Sequence, residues 1–353
     1  MQSEQKQNET QAKRDFETNC DVRIVMTVYS LLDLAFVGPD ETPSDAFTRS
    51  VLLAQQAESL GFERIWYAEH HNMPTIASSA PAVLISHVAA RTSTIKLGAG
   101  GVMLPNHAPL IIAEQFGTLE ALYPGRIGLG LGRAPGTDPR TLRALRRDPK
   151  AAENFPDDVA ELRGYLADAT LTPGVNANPG RGSKVPLYIL GSSLFGAQLA
   201  AALGLPYAFA SHFAPEALEQ AINVYRARFR PSEQCAQPYV IAAANFIVAD
   251  EEEAAKVQHA EVLRRRVRMF AKGADEISDA DLDAYIASGR ADQIVGMLKY
   301  TAVGTGEDAK RFLDGFEAMT GADEVMLVNL SPGTAQAERG LDLFSQAVVR
   351  PAR

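Results

Sequence analysis

The chain has 353 residues, 46% hydrophobic and 22% charged, and its 34 basic and 43 acidic side chains give a formal net charge of −9. A chain this long buries about three quarters of its unfolded surface without help from disulfides or metals, and its composition excludes wholesale disorder. The acidic balance disfavours nonspecific binding to nucleic acid or an anionic membrane, and two distant cysteines, Cys20 and Cys235, exclude a disulfide scaffold and argue against structural zinc.

Residues 1–20 are polar and lack the apolar stretch of a secretory signal, so a loosely ordered extension is expected there, followed by a single domain over 21–353. No apolar run of membrane-spanning length occurs, and a cytoplasmic location is expected. The β-branched run Arg23–Tyr29 predicts a first strand. Thr42-Pro43-Ser44-Asp45 then supplies a cap, a proline at the first helical position and an acid in the first turn. Phe47, Val51, Ala54, Ala57 and Leu60 recur at helical spacing, and Gly61 predicts the stop.

This strand–helix unit repeats. Strands are predicted over Arg64–Tyr67, Ile95–Gly98, Arg126–Leu131, Pro186–Leu190, Tyr207–Ala210, Tyr239–Val248 and Glu324–Asn329, with helices over Pro81–Arg91, Leu110–Leu122 and Phe195–Leu203 among them. Eight short apolar strands alternating with helices predict an α/β fold, a closed (β/α)8 TIM barrel with insertions; an open doubly wound sheet is the competing arrangement. Residues 133–185 form a long connection with a helix near Asp157–Tyr165. Residues 250–302, containing EEEAAK and LRRRVRMF, predict a helical insertion over one barrel mouth.

The active sites of such barrels lie at the carboxyl ends of the strands, where every candidate residue here falls. Glu69, His70 and His71 follow the second strand and offer either a carboxylate–imidazole proton relay or simply a polar strand terminus. A metal site is not expected, because none of the six histidines forms a ligand motif. Gly98, Gly100 and Gly101 after the third strand admit either a planar ligand or a tight turn, and Asn106 and His107 in the next loop are possible donors to a ring or substrate. Gly128, Gly130 and Gly132 lack dinucleotide-fingerprint spacing and lie in the fourth strand, where they leave room near the axis. Arg133 offers a fixed cation for phosphate or an exposed ion pair. Gly191-Ser192-Ser193 offers a phosphate cradle or an ordinary helix cap.

In order and spacing, SLLDLAFV, RIWYAEHHNMP, KLGAGGVMLPNHAPL, IAEQFGTLEALYPGRIGLGLGRAPGTD, LYILGSSLFGAQLAAALGLPYAFASHF and the final VGT…GADEVMLVN resemble the bacterial luciferase-like flavin-dependent monooxygenases over about residues 23–345. The resemblance implies a (β/α)8 barrel that takes reduced FMN (FMNH2) from a separate reductase. It also implies reaction with O2 through a C4a-peroxyflavin to oxygenate a small organic substrate. It implies Gly100 and Gly101 beneath the isoalloxazine, at a frequently cis peptide. It places Arg133, Ser192 and Ser193 at the flavin phosphate and makes His70 and Glu69 catalytic, with His71 in support. Gly191 is expected beside the flavin phosphate, and His71, Asn106 and His107 are expected toward substrate. By the same analogy the barrel helices offer a homodimer interface. A deazaflavin- or flavin-dependent hydride-transfer enzyme on the same barrel and a noncatalytic flavin-binding protein are the alternatives.

Overall fold

The computed structural model describes residues 27–349 apart from 39, 135–136, 149 and 272–276. The extension expected at 1–20 lies outside them. The described strands, in chain order, are β1 (Val28–Asp33), β2 (Arg64–Tyr67), β3 (Lys96–Met103), β4 (Ile127–Gly132), β5 (Leu187–Gly191), β6 (Tyr207–Phe209), β7 (Val240–Val248), β8 (Thr301–Gly304) and β9 (Glu324–Asn329). All pairings between these strands are parallel. The order β6-β5-β4-β3-β2-β1-β9-β7 is closed by β6 on β7, so eight strands form a barrel and β8 lies outside the ring on the end of β7.

Register fixes which side chains enter the barrel. Leu32 pairs with Trp66, Trp66 with Gly98, Gly98 with Gly128, Gly130 with Tyr188 and Ala243 with Met326, one continuous inward set. The alternate residues, including Leu31, Ile65, Leu97, Leu129, Ile189, Ala242 and Leu327, are buried between strands and helices. Burial on both faces explains why the strands read as apolar runs rather than alternating ones.

The first helix, Pro43–Leu60, has the expected Thr42–Asp45 capping box and ends at Gly61 with φ 90°, where a side chain would be strained. Two strand predictions need correction. β1 runs to Asp33, four residues past the expected end at Tyr29, and residues 23–26 of the expected strand lie outside the described residues. The inward positions of a fully covered strand accept Ser30 and Leu32 as readily as the β-branched residues that suggested Arg23–Tyr29. β3 runs to Met103 rather than stopping at Gly98, because its glycines are strand residues making room for a neighbour.

That neighbour is Trp66. A Cβ at Gly98 would lie 2.6 Å from the Trp66 ring, and one at Gly100 would lie 2.7 Å from Trp66 Cβ. Trp66 Nε1 donates to Glu324 Oε1 at 3.0 Å, Tyr239 donates to the other carboxylate oxygen at 3.0 Å, and Arg64 lies 3.4 Å from that oxygen while donating to the Tyr188 hydroxyl. Arg64, Tyr188 and Glu324 stand at or near the amino ends of their strands, so a hydrogen-bonded polar cluster plugs the bottom of the barrel. The opposite end is left for chemistry.

The expected insertion at 250–302 contains helices over Glu252–Phe270, Asp279–Ala287 and Asp292–Gly296 and ends in the first two residues of β8. Ala255 and Val262 of the first pack into the cluster that holds Trp66, Tyr188, Ile247 and Val328, so this helix covers the barrel interior. Among the described residues no helix is long and apolar enough to cross a membrane.

Candidate active site at the barrel mouth

The loop after β2 is held by Glu69, whose side chain is fully buried. Its Oε1 lies 2.8 Å from His71 Nε2 and 2.7 Å from His107 Nε2, and its Oε2 accepts from the Met103 backbone N–H at 3.1 Å. Burial alone raises a carboxyl group. Here the bonds from His107 and His71, with the Met103 amide, outweigh burial and bring Glu69 to about 2. An ionised oxygen only accepts, so both rings carry their proton on Nε2. The two imidazoles therefore clasp the carboxylate, tying the loop after β2 to the loop after β3. These three residues are also the only cluster of metal-ligand type among the described residues.

His70 is held differently. Its backbone N–H donates to Ser78 O, and its ring Nδ1 is buried without a partner. Burial lowers its affinity for a proton, Glu69 opposes that and His71 adds to it, with a lowered value as the result. Across the mouth, His212 follows β6. Burial lowers it to about 3, with Arg266 and His70 contributing, and its Nδ1 is likewise unpartnered. Asn245, an inward residue of β7, donates to His212 O at 2.7 Å while its Oδ1 is left unpaired. Sequence reading missed His212, Asn245 and Arg266. The rule that drew attention to His70, a polar residue just past a strand's carboxyl end, applies equally to His212.

Asn106 is buried in the turn Leu104–Asn106, and its carbonyl accepts from Arg147 at 3.1 Å. His107, expected toward substrate, is turned to Glu69. Asn72 donates to Asp138, and Asp138 caps the helix Pro139–Ala144, so the loop after β4 is fastened over the loop after β2.

Arg133, Gly191, Ser192 and Ser193 come together around another part of the rim, at the ends of β4 and β5. The Arg133 guanidinium lies 4.2 Å over the ring of Phe195, and no carboxylate pairs with it among the described residues. Ser193 is the N-cap of the helix Leu194–Leu203 but makes no side-chain capping bond, and both serines are exposed. A Cβ at Gly191 would meet nothing nearer than 4.0 Å. Helix-start amides, two exposed hydroxyls and a fork-shaped cation without a carboxylate partner among the described residues are groups suited to holding an anion. Gly100 and Gly101 lie in β3, joined by a cis peptide where the register with β4 shifts. A Cβ at Gly101 would lie 2.8 Å from Gly130 O, so packing against Trp66 and β4 already requires both glycines.

A family model described as "Luciferase-like monooxygenase" matches residues 27–309. A protein of Escherichia coli K12 described as "Luciferase-like monooxygenase" is 45% identical over 302 residues, covering 85% of this chain and 90% of the relative. Among solved structures, apo-MsnO8 superposes with a TM-score of 0.78 at 29% identity, covering 93% of this chain and all of that one. The FMN complex of the oxygenating constituent of 3,6-diketocamphane monooxygenase from Pseudomonas putida gives 0.68 at 17% identity over 91% of this chain and 98% of that one, a likeness of fold.

Proposed function

The chain belongs to the luciferase-like monooxygenase family, and from that premise we propose that it takes FMNH2 from a separate flavin reductase and uses it with O2 to oxygenate a small organic substrate in the barrel mouth. The observation that carries this reading is one mouth holding both an anion cradle, Arg133 with Ser192 and Ser193, and a buried histidine, His70, with an unpartnered ring nitrogen. The residues present fit FMN. The cradle suits its phosphate, and the backbone of Gly100 and Gly101 provides a floor without side chains for its ring.

Reduced FMN, when bound, supplies the electrons that activate O2. The protein does the rest. Arg133 and the helix start fix the phosphate end and so set where the ring lies. His70, kept neutral by burial at pH 7, accepts the proton at Nδ1 when substrate or reacting oxygen must lose one. Glu69 acts as a positioning residue, locked by His71 and His107 so that the adjacent His70 is held in one place. The helix Glu252–Phe270 covers the site and excludes water.

Turnover with reductase-generated FMNH2 under 18O2, on a panel of small aldehydes and ketones with and without a carboxylate, tests the reading. It expects a product carrying one 18O atom. Flavin reoxidation without any labelled product across the panel, together with hydride transfer from a reduced deazaflavin, overturns it.

A further inference from the structure

The helix Glu252–Phe270 carries four arginines in its last turns, and they have different surroundings. Arg264 donates to Asp283 at 2.8 Å and Arg268 to Asp279 at 2.6 Å, both on the neighbouring helix Asp279–Ala287. Arg265 is exposed. Arg266 pairs with no carboxylate among the described residues; its recorded contact is the Phe270 ring at 5.9 Å. The chain has nine more acids than bases, so an unpaired arginine does not reflect a shortage of carboxylates.

Helical periodicity says where Arg266 stands. Gln258, Val262 and Arg266 are spaced four apart on one face, which also includes Ala255. Ala255 and Val262 are buried against the barrel interior, so this face overlies the mouth. The charge of Arg266 acts on His212, which in turn interacts with His70. Among the described residues, four buried atoms of this helix and of the mouth have no hydrogen-bond partner: Gln258 Oε1 on the same helix face, Asn245 Oδ1, His212 Nδ1 and His70 Nδ1. Among the described residues no carboxylate offsets the solvation that this half-buried cation loses; an anionic ligand reverses that balance.

We propose that Arg266 receives a carboxylate of the substrate, making the oxygenated molecule a small organic anion whose reacting end lies toward His70. This deepens the oxygenase reading and rests on it. Arg133 and the helix start at Ser193 form a separate cradle for the phosphate of FMN, so the mouth holds two anion sites with different tenants.

The test is calorimetric titration of the full chain, with and without saturating oxidised FMN, using straight-chain monocarboxylates from acetate to decanoate and their matched amides. The expected result is that at least one acid saturates and binds at least tenfold more tightly than its amide. Arg266→Gln is expected to abolish that preference without weakening FMN, and Arg266→Lys to restore part of it. Failure of every acid to saturate, or equal affinity for acid and amide in the unaltered protein, overturns the proposal. So does a loss of FMN affinity in Arg266→Gln equal to that in Arg133→Gln, because it would give the phosphate to Arg266. The acid–amide comparison needs no variant to fold. No turnover is involved, so failure of the oxygenase reading registers separately, as missing 18O product.

Discussion

His107 Nε2 lies 2.7 Å from Glu69 Oε1, joining the loop after β3 to the loop after β2 through an oxygen that His71 also approaches at 2.8 Å. The carboxylate is fully buried and both imidazoles are partly exposed, so the clasp is strongest at its centre. In Glu69→Gln a neutral amide replaces the anionic acceptor and brings N–H donors toward two rings that are already donating. The expected loss is about 2 kcal/mol, below the range for a fully buried pair because the rings reach solvent. Urea unfolding at pH 7 measures it, and a change under 0.5 kcal/mol would show that the clasp is not formed.

The Glu69 value of about 2 also has a pH consequence. Its folded value lies below the ordinary 4.5, so its contribution is fully present above that pH and is lost as pH falls toward 2.

Trp66 is fixed at Nε1 by Glu324 and pressed against β3 where a Gly98 Cβ would stand 2.6 Å from its ring. Gly98→Ala therefore overpacks the barrel, at a cost of about 1–3 kcal/mol. Combining it with Trp66→Phe removes the atoms that clash, so the double variant is expected to be more stable than the sum of the singles by about 1 kcal/mol. Strict additivity in thermal or denaturant melts would place the glycine's role elsewhere.

His212, held near 3 by burial, binds a proton in the unfolded chain below pH 6.5 but not in the folded one. Stability consequently rises with pH between about 3 and 6.5, by at most about 1.4 kcal/mol per unit from this group. His70 and His259, lowered chiefly by burial, act in the same direction. His212→Phe is expected to flatten the slope between pH 4 and 6 in a series of denaturant melts; an unchanged slope would show that the ring is protonated in the folded state.

Much of this architecture was legible in the residues. The Thr42–Asp45 cap, the Gly61 stop and the strands Arg64–Tyr67 and Glu324–Asn329 carry local signals that their final environments reinforce. The glycines of β3 misled because their reason is nonlocal: nothing near Gly98 in sequence announces Trp66. β8 was not anticipated for a related reason, since a four-residue strand outside the ring depends on the end of β7 for its pairing. At the mouth, adjacency suggested that Glu69 and His70 act together. The structure instead joins Glu69 to His71 and to His107, leaving His70 with its buried ring Nδ1 unpartnered among the described residues. Arg266 was hidden in a basic run whose neighbours face acidic partners. Only the packed face of the helix distinguishes it.

The anchoring of reduced FMN by the cradle of Arg133, Ser192 and Ser193 is tested most directly by anaerobic titration of the chain and of Arg133→Gln with FMNH2 and with reduced riboflavin, which lacks the phosphate. The account predicts at least tenfold tighter binding of FMNH2 than of reduced riboflavin, with Arg133→Gln removing most of that difference and leaving riboflavin binding unchanged. Equal binding of the two flavins by the unaltered chain would contradict it.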